Sequence, residues 1–196
     1  RLSELNGKVF VDKKSINAYD YLLLKERAVP VDMNPVQQMR AVKTDVELAH
    51  YKEAFQKTDL AVRAIRDYIE NNTGISEYDI AQKLEEEFIH FGAKGLSFNS
   101  IVAKDKNSAL AHYSKSSGNE IVGDGSLVLI DCGAYYEGGL ATDITRVFVK
   151  GEPSGLQKKV YTTVLKTFLH AFNFNVDGNT SGFDIDALAR KVIAEN

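Results

Sequence analysis

Apolar residues recur at steps of three and four through Leu48, Tyr51, Phe55, Thr58, Val62, Ile65 and Ile69, which draws one stripe along a helix from about residue 45 to 70. The opposite positions are charged. Thr44-Asp45-Val46-Glu47 precedes the stripe as a capping box, in which hydroxyl and carboxylate each satisfy a free backbone amide at the helix start. Ser76-Glu77-Tyr78-Asp79 repeats the device, and Ile80, Leu84, Phe88 and Phe91 keep the helical spacing until Gly92 and Gly95 end it. From Leu96 the pattern turns to short extended segments over 98–103, 110–113, 126–136 and 141–149, separated by glycine-rich breaks. Gly151-Glu152-Pro153-Ser154 then caps a helix striped by Leu156, Val160, Val164, Phe168 and Phe172. A last helix starts near Asp184 with Ile185, Leu188 and Val192.

Two helices, a cluster of strands and two more helices predict an α+β fold, with a mainly antiparallel sheet and helices on one side. Ahead of them lie a short apolar run at 8–11, a compact apolar helix at 16–24 with Ser15 as its expected N-cap, and an extended Ala28-Val29-Pro30-Val31. Pro30 and Pro35 bracket Asp32-Met33-Asn34, and proline disfavours helical geometry in the residue before it. A domain boundary is expected there, with 1–33 ending one domain and 34–196 forming the next.

The chain has 196 residues, more than a usual single domain of roughly 100 to 150 and too few for two complete ones. Apolar residues make up 44% and charged residues 26%, so a core can form and disordered or fibrous classes do not fit. The formal charge is −3 with no basic block, which removes the electrostatic footprint of a nucleic-acid binder. Cys132 is the only cysteine, so neither an intrachain disulfide nor a thiolate zinc site can be built. There is no apolar run near the roughly 18 residues of a membrane span and no leader pattern, and a cytoplasmic setting is expected. The start at Arg1 and the end at Asn196, inside a helical pattern, are expected of a piece of a longer polypeptide.

Two acids stand where strands normally carry apolar residues. Leu127-Val128-Leu129-Ile130-Asp131 closes one strand, and Asp143 lies near the start of the next. A hairpin centred on residue 137, within Tyr136-Glu137-Gly138-Gly139, sets Asp131 opposite Asp143 with Cβ atoms roughly 4.5 to 5.5 Å apart. Bare carboxylates at that distance repel, and one holds a proton unless cations lie between them. Divalent metals about 3.5 to 4 Å apart resolve the conflict in hydrolases. Oxygen ligation of this kind suits Mn²⁺ or Mg²⁺, and an added imidazole admits Co²⁺ or Zn²⁺. The same two residues taken alone also fit turn formation or helix capping.

Asn99-Ser100-Ile101-Val102-Ala103, Ala111-His112-Tyr113, Val128 through Tyr136 and Thr142-Asp143-Ile144-Thr145-Arg146 resemble consecutive blocks of the pita-bread metallopeptidases, in their aminopeptidase P (Xaa-Pro aminopeptidase) and prolidase branch. The resemblance covers residues 35 to 196, and residues 1 to 33 are similar to the end of the domain that precedes the catalytic one. It implies a dinuclear site of two Asp, one His and two Glu ligands, most often loaded with Mn²⁺. It implies cleavage of peptides with proline in second position, and a homo-oligomer, a dimer, for the full-length protein. Asp131 and Asp143 match the two Asp ligands, and His112 matches the histidine that contacts substrate and assists proton movement. Eleven residues separate the two Asp, one more than the family's usual spacing, and a glycine-containing bulge between Glu137 and Ala141 is expected to absorb it. The family's His and Glu ligands fall beyond Asn196, so weak metal affinity and no turnover are expected of these residues alone.

Other features carry less. His50, His90 and His170 lie on amphipathic helices and are expected at surface or boundary positions. Thr145 and Arg146 are placed to orient a carboxylate, and Arg146 equally to pair with a surface acid. Cys132 alternates away from Asp131 and is expected to be a small core residue. The remaining readings are a peptide- or histone-binding module on the same fold, and a sister hydrolase acting on creatine or on initiator methionine.

Overall fold

The computed structural model describes residues 4, 6–32 and 34–196. It divides into two compact units, residues 1–52 and 53–196. The boundary expected at residue 33 falls on Met33, outside the described residues.

In the first unit, β1 (Val9–Asp12) and β2 (Ala28–Val31) pair in parallel, with Val9 opposite Ala28, and α1 (Ala18–Leu24) makes the crossover that a parallel pair requires. The N-cap of α1 is Asn17, whose side chain accepts from the Asp20 amide, rather than Ser15. Ser15 instead donates its hydroxyl to the Asp12 carboxylate in the turn that precedes the helix. The two prolines frame a helix as well as a break. α2 (Pro35–Ala41) starts with Pro35 in its first turn and Asn34 as cap, because a proline at that position gives up an amide that has no helical partner anyway.

α3 (Asp45–Asn71) opens with the expected capping box, Thr44 and Glu47 exchanging side-chain and backbone hydrogen bonds. Its stripe is buried only in part. Thr58, Val62, Ile65 and Ile69 are buried together with Ala54 and Ala61, whereas Leu48 and Phe55 are exposed. α4 (Glu77–His90) carries the second box, Ser76 with Asp79, and buries Ile80, Leu84 and Phe88.

These two helices cover one face of a three-stranded antiparallel sheet ordered β4 (Ile101–Lys104), β5 (Leu127–Cys132), β7 (Ile144–Val149). Val102, Val128, Ile130 and Cys132 are the sheet's buried contribution to that core. Strand alternation sends Leu127, Leu129 and Asp131 to the other face, where they are half-buried. A short pair, β3 (Gly95–Leu96) with β6 (Ala134–Tyr135), extends the antiparallel pattern. The segment 110–113 is a turn rather than a strand. The Tyr113 amide donates to Leu110 O, and Leu110 and His112 are exposed, so its alternation buries nothing.

α5 (Gly155–Phe172) and α6 (Gly182–Ala194) follow as a helical hairpin, opened by Ser154 with Gln157 and by Ser181 with Asp184. No helix among the described residues is long and apolar enough to cross a membrane.

Candidate active site

The register between β5 and β7 differs by two residues from the one predicted. Asp131 stands opposite Thr145, and Cys132 opposite Ile144, so Asp131 does not face Asp143 directly. An offset of two preserves the face, because side chains alternate with a period of two. Asp143 lies two residues before Thr145, on a stretch that stays paired through the Thr142 amide and Ala134 O, and so reaches the same open face as Asp131 one step along the ladder. The Thr145 hydroxyl donates to Asp131 Oδ1 at 2.9 Å, in place of the carboxylate contact expected across the pair. Arg146 turns its guanidinium to the carbonyl of Thr145 at 2.7 Å.

The turn absorbs the additional residue without a bulge in the ladder. Tyr135 pairs with Ala141 in the same register as Cys132 with Ile144, so the change is confined to residues 136–140. There Gly138 and Gly139 adopt φ of 80° and 71°, a region that disfavours any residue with a Cβ.

Two devices fix the backbone that presents the acids. Gly133, between Asp131 and β6, lets Thr142 O approach so closely that a Cβ on residue 133 would lie 1.9 Å from it. Thr142, next to Asp143, is fully buried, and its hydroxyl is 2.8 Å from that of Thr58 on α3 while accepting from the Ala134 amide at 3.1 Å. Thr58 also donates to the Tyr136 hydroxyl. α3 therefore reaches through the core to the stretch that leads through Asp143 into β7. Cys132 is fully buried, as expected, and burial, with the nearby charges of Asp131 and Asp143 adding to it, pushes its thiol up to about 12. It is a core residue, not a thiolate.

His112 is exposed, in the turn closed by Tyr113 and Leu110, and makes no side-chain hydrogen bond among the described residues. His90 and His170 are exposed and His50 is half-buried, in keeping with surface and boundary positions. Among the described residues no group of three or more His, Cys, Asp and Glu is placed to hold a metal ion. Asp131 and Asp143 match a divalent ion in donor chemistry, as hard anionic oxygens on one face, but two such residues do not complete a coordination shell.

The residue that the sequence reading passed over is Glu77. It reads as an ordinary member of the second capping box, yet it is fully buried and its carboxylate accepts four hydrogen bonds. Lys104 N at 2.7 Å and Asn107 Nδ2 at 2.9 Å donate to Oε1, and Tyr113 OH at 2.7 Å and Ser117 N at 2.9 Å donate to Oε2. Burial pushes its pKa up, but the donors from Asn107, Ser117, Lys104 and Tyr113 together outweigh burial and hold it below the ordinary glutamate range. The same contact drives the Tyr113 phenol up to about 12, so it remains a donor. A signal was present: Glu77 lies three residues before Ile80, on the stripe that continues through Leu84 and Phe88, and an acid on an apolar stripe needs a partner.

This geometry agrees with what the chain is similar to. A probable Xaa-Pro aminopeptidase P of Aspergillus niger is 34% identical over 193 residues, covering 95% of this chain and 31% of that protein. Among solved structures, an X-Pro aminopeptidase from Thermotoga maritima superposes with a TM-score of 0.80 at 30% identity, covering 96% of this chain and 53% of that one. The prolidase from Pyrococcus furiosus gives 0.77 at 28% identity, covering 97% and 55%. The chain thus spans about a third of the length of the curated relative and about half of the solved ones, and its architecture is the pita-bread fold that they share. The model of metallopeptidase family M24 matches residues 49–196, which takes in α4, the strand cluster and both acids, and the chain belongs to that family.

Proposed function

We propose that the chain is part of a metal-dependent aminopeptidase that hydrolyses the bond between an N-terminal residue and a following proline. The observation that carries this reading is the placement of Asp131 and Asp143 on one open face of the sheet, on backbone held by Gly133, Thr142 and Thr58. Asp131 and Asp143 would hold divalent metal, two ions and most often Mn²⁺ by the family pattern. Metal in such a site supplies an activated water and polarises the scissile carbonyl. Thr145 fixes the Asp131 carboxylate through Oδ1 and leaves its other oxygen to a ligand. His112, exposed on its turn, donates to the oxygen that gains charge as the carbonyl is attacked and carries a proton toward the departing amine. Preference for proline rests on the similarity to Xaa-Pro peptidases alone.

The test is turnover of a Xaa-Pro peptide by the full-length protein. Asp131→Asn and Asp143→Asn are expected to reduce it to background, and Thr145→Val to lower it by roughly 10- to 100-fold, the usual cost of losing a group that orients a metal ligand. Undiminished turnover in either Asp variant rejects the ligand assignment and favours a binding module. For residues 1–196 alone, calorimetric titration with Mn²⁺ should show only weak binding, lost in the double Asp variant.

A further inference from the structure

Among the described residues, the Glu77 carboxylate is hydrogen-bonded within one stretch of chain. Its four donors sit at residues 104, 107, 113 and 117, and His112 lies inside that stretch, one residue from Tyr113. None of the donors is a cation. The Lys104 ammonium turns away to Asp105 at 3.4 Å and Glu120 at 3.7 Å, so the buried charge is met entirely by two amides, a carboxamide and a phenol. A carboxylate in that setting is satisfied only while all these donors converge, which makes it a gauge of the conformation of the loop.

The loop has other ties, but they hold its ends. Asp105 Oδ1 accepts from Leu127 N at 2.9 Å, Ser116 Oγ donates to Val102 O at 3.2 Å, and the amides of Glu77 and Tyr78 donate to Glu120 O and Ser117 O. Within the stretch from 108 to 115, the side-chain bond that links the loop to another element is Tyr113 OH to Glu77. Tyr113 N closes the turn on Leu110 O, and Ala111 and His112 are the residues between. The path from the core to the imidazole therefore runs from α4 through Glu77 and Tyr113 to His112.

We propose that Glu77 is a positioning residue for His112: its buried carboxylate gathers the loop 104–117 on the first turn of α4 and so sets where the exposed imidazole stands. This rests on the peptidase reading for His112's role, whereas the hold on the loop is a property of the described residues alone. The two are tested separately. In residues 1–196, Glu77→Gln replaces an acceptor of four donors with a carboxamide that must turn an NH₂ toward two of them. Amide exchange is expected to rise about tenfold or more over 104–117, while the hairpin of α5 and α6, which holds none of these bonds, is unchanged, because hydrogen bonds to charged groups are the stronger kind. Tyr113→Phe removes one donor and leaves the carboxylate, and should loosen 108–115 in the same direction by a smaller factor, which keeps the test available if Glu77→Gln folds poorly. Unchanged exchange in 104–117 in both variants, or equal loosening of the α5–α6 hairpin, overturns the proposal.

In the full-length protein acting on a Xaa-Pro peptide, Glu77→Gln should lower kcat by roughly 10- to 100-fold with KM little changed, as expected for a reacting group displaced by about an ångström. Combined with His112→Ala it should cost no more than His112→Ala alone. Multiplying losses in a protein that turns over overturn the positioning role. A wild-type protein with no peptide turnover overturns the peptidase reading and His112's part in it together.

Discussion

The layer of α3, α4 and the three-stranded sheet and the hairpin of α5 and α6 begin from the same sequence device, a capping box followed by an apolar stripe. They end in opposite surroundings. Phe88 on α4 is fully buried, whereas Phe168 on α5 is 59% exposed, in a helix that contains no buried residue. Leu156, Val160, Val164 and Phe172 share that exposure, and the rings of Phe168 and Phe172 stack on each other at 5.8 Å. Periodicity thus specifies a face, and the neighbours decide whether it leaves water. The sharpest way to break the contrast is a matched pair of truncations in urea denaturation of this chain. Phe88→Ala should cost about 3 to 5 kcal/mol through lost transfer energy and an unfilled cavity, and Phe168→Ala should stay within about 0.5 kcal/mol. Similar losses at both positions would mean that the α5 stripe is covered in solution.

The same contrast explains how far the chain could be read in advance. Both long helices, the capping boxes at Thr44 and Ser76 and the central strand were legible, because each rests on local spacing: Ser76 needs only Asp79, and Val128, Ile130 and Cys132 need only alternation. The two acids proposed for the site were legible as residue types on the pattern, but their geometry was not. Asp131 and Asp143 stand out as acids on strands, but the register depends on how the five residues of the turn at 136–140 fold, and two glycines at positive φ admit several arrangements. The partner of Asp131 was therefore read as Asp143 and is Thr145. Glu77 escaped because its partners lie 27 to 40 residues away, beyond the reach of any pattern of adjacent positions. Leu110-Ala111-His112-Tyr113 was read as a strand for the complementary reason: its alternation is local, and the bond that decides its shape, Tyr113 to Glu77, is not.

Glu77 gives the dry layer an acid sensitivity seated in a buried carboxylate, whereas the α5–α6 hairpin has the exposed Asp184 of its cap. The pKa of Glu77 is lowered in the folded state, so folding there releases a proton that the unfolded chain would hold. The associated stability is complete above the unfolded value, about 4.5, and is lost as pH falls through the lower folded value. Urea midpoints measured from neutral pH into the acid range should therefore fall more steeply for wild type than for Glu77→Gln. At neutral pH that variant should be less stable by about 2 to 3 kcal/mol, because buried donors lose a charged acceptor. Asp79 and Asp184 are also held low by their serine caps, so the wild-type acid limb is not due to Glu77 alone, and the difference between the two proteins isolates its share. Parallel acid limbs would show that Glu77 is exposed to water in solution and not gathered by its loop.

The smallest effect separates the two regions at their first turns. Ser76 and Ser154 each accept from the amide three residues on, at 3.2 Å in both cases, and each returns its own amide to that residue's side chain. The returning acceptor is the Asp79 carboxylate for Ser76 and the Gln157 carboxamide for Ser154, and Asp79 takes the Ser76 hydroxyl as well, at 2.7 Å. A charged acceptor makes the stronger bond, and Ser76 is buried where water cannot replace what is lost. Ser76→Ala should therefore cost about 1 to 2 kcal/mol and Ser154→Ala about 0.5 to 1 kcal/mol, both within the range measured for N-caps. Protonating Asp79 removes the charge assistance, so the gap between the two variants should narrow on acidification, while Ser154→Ala alone holds its value. A gap that persists at low pH would assign the larger cost of Ser76→Ala to burial of the serine rather than to the charge it meets.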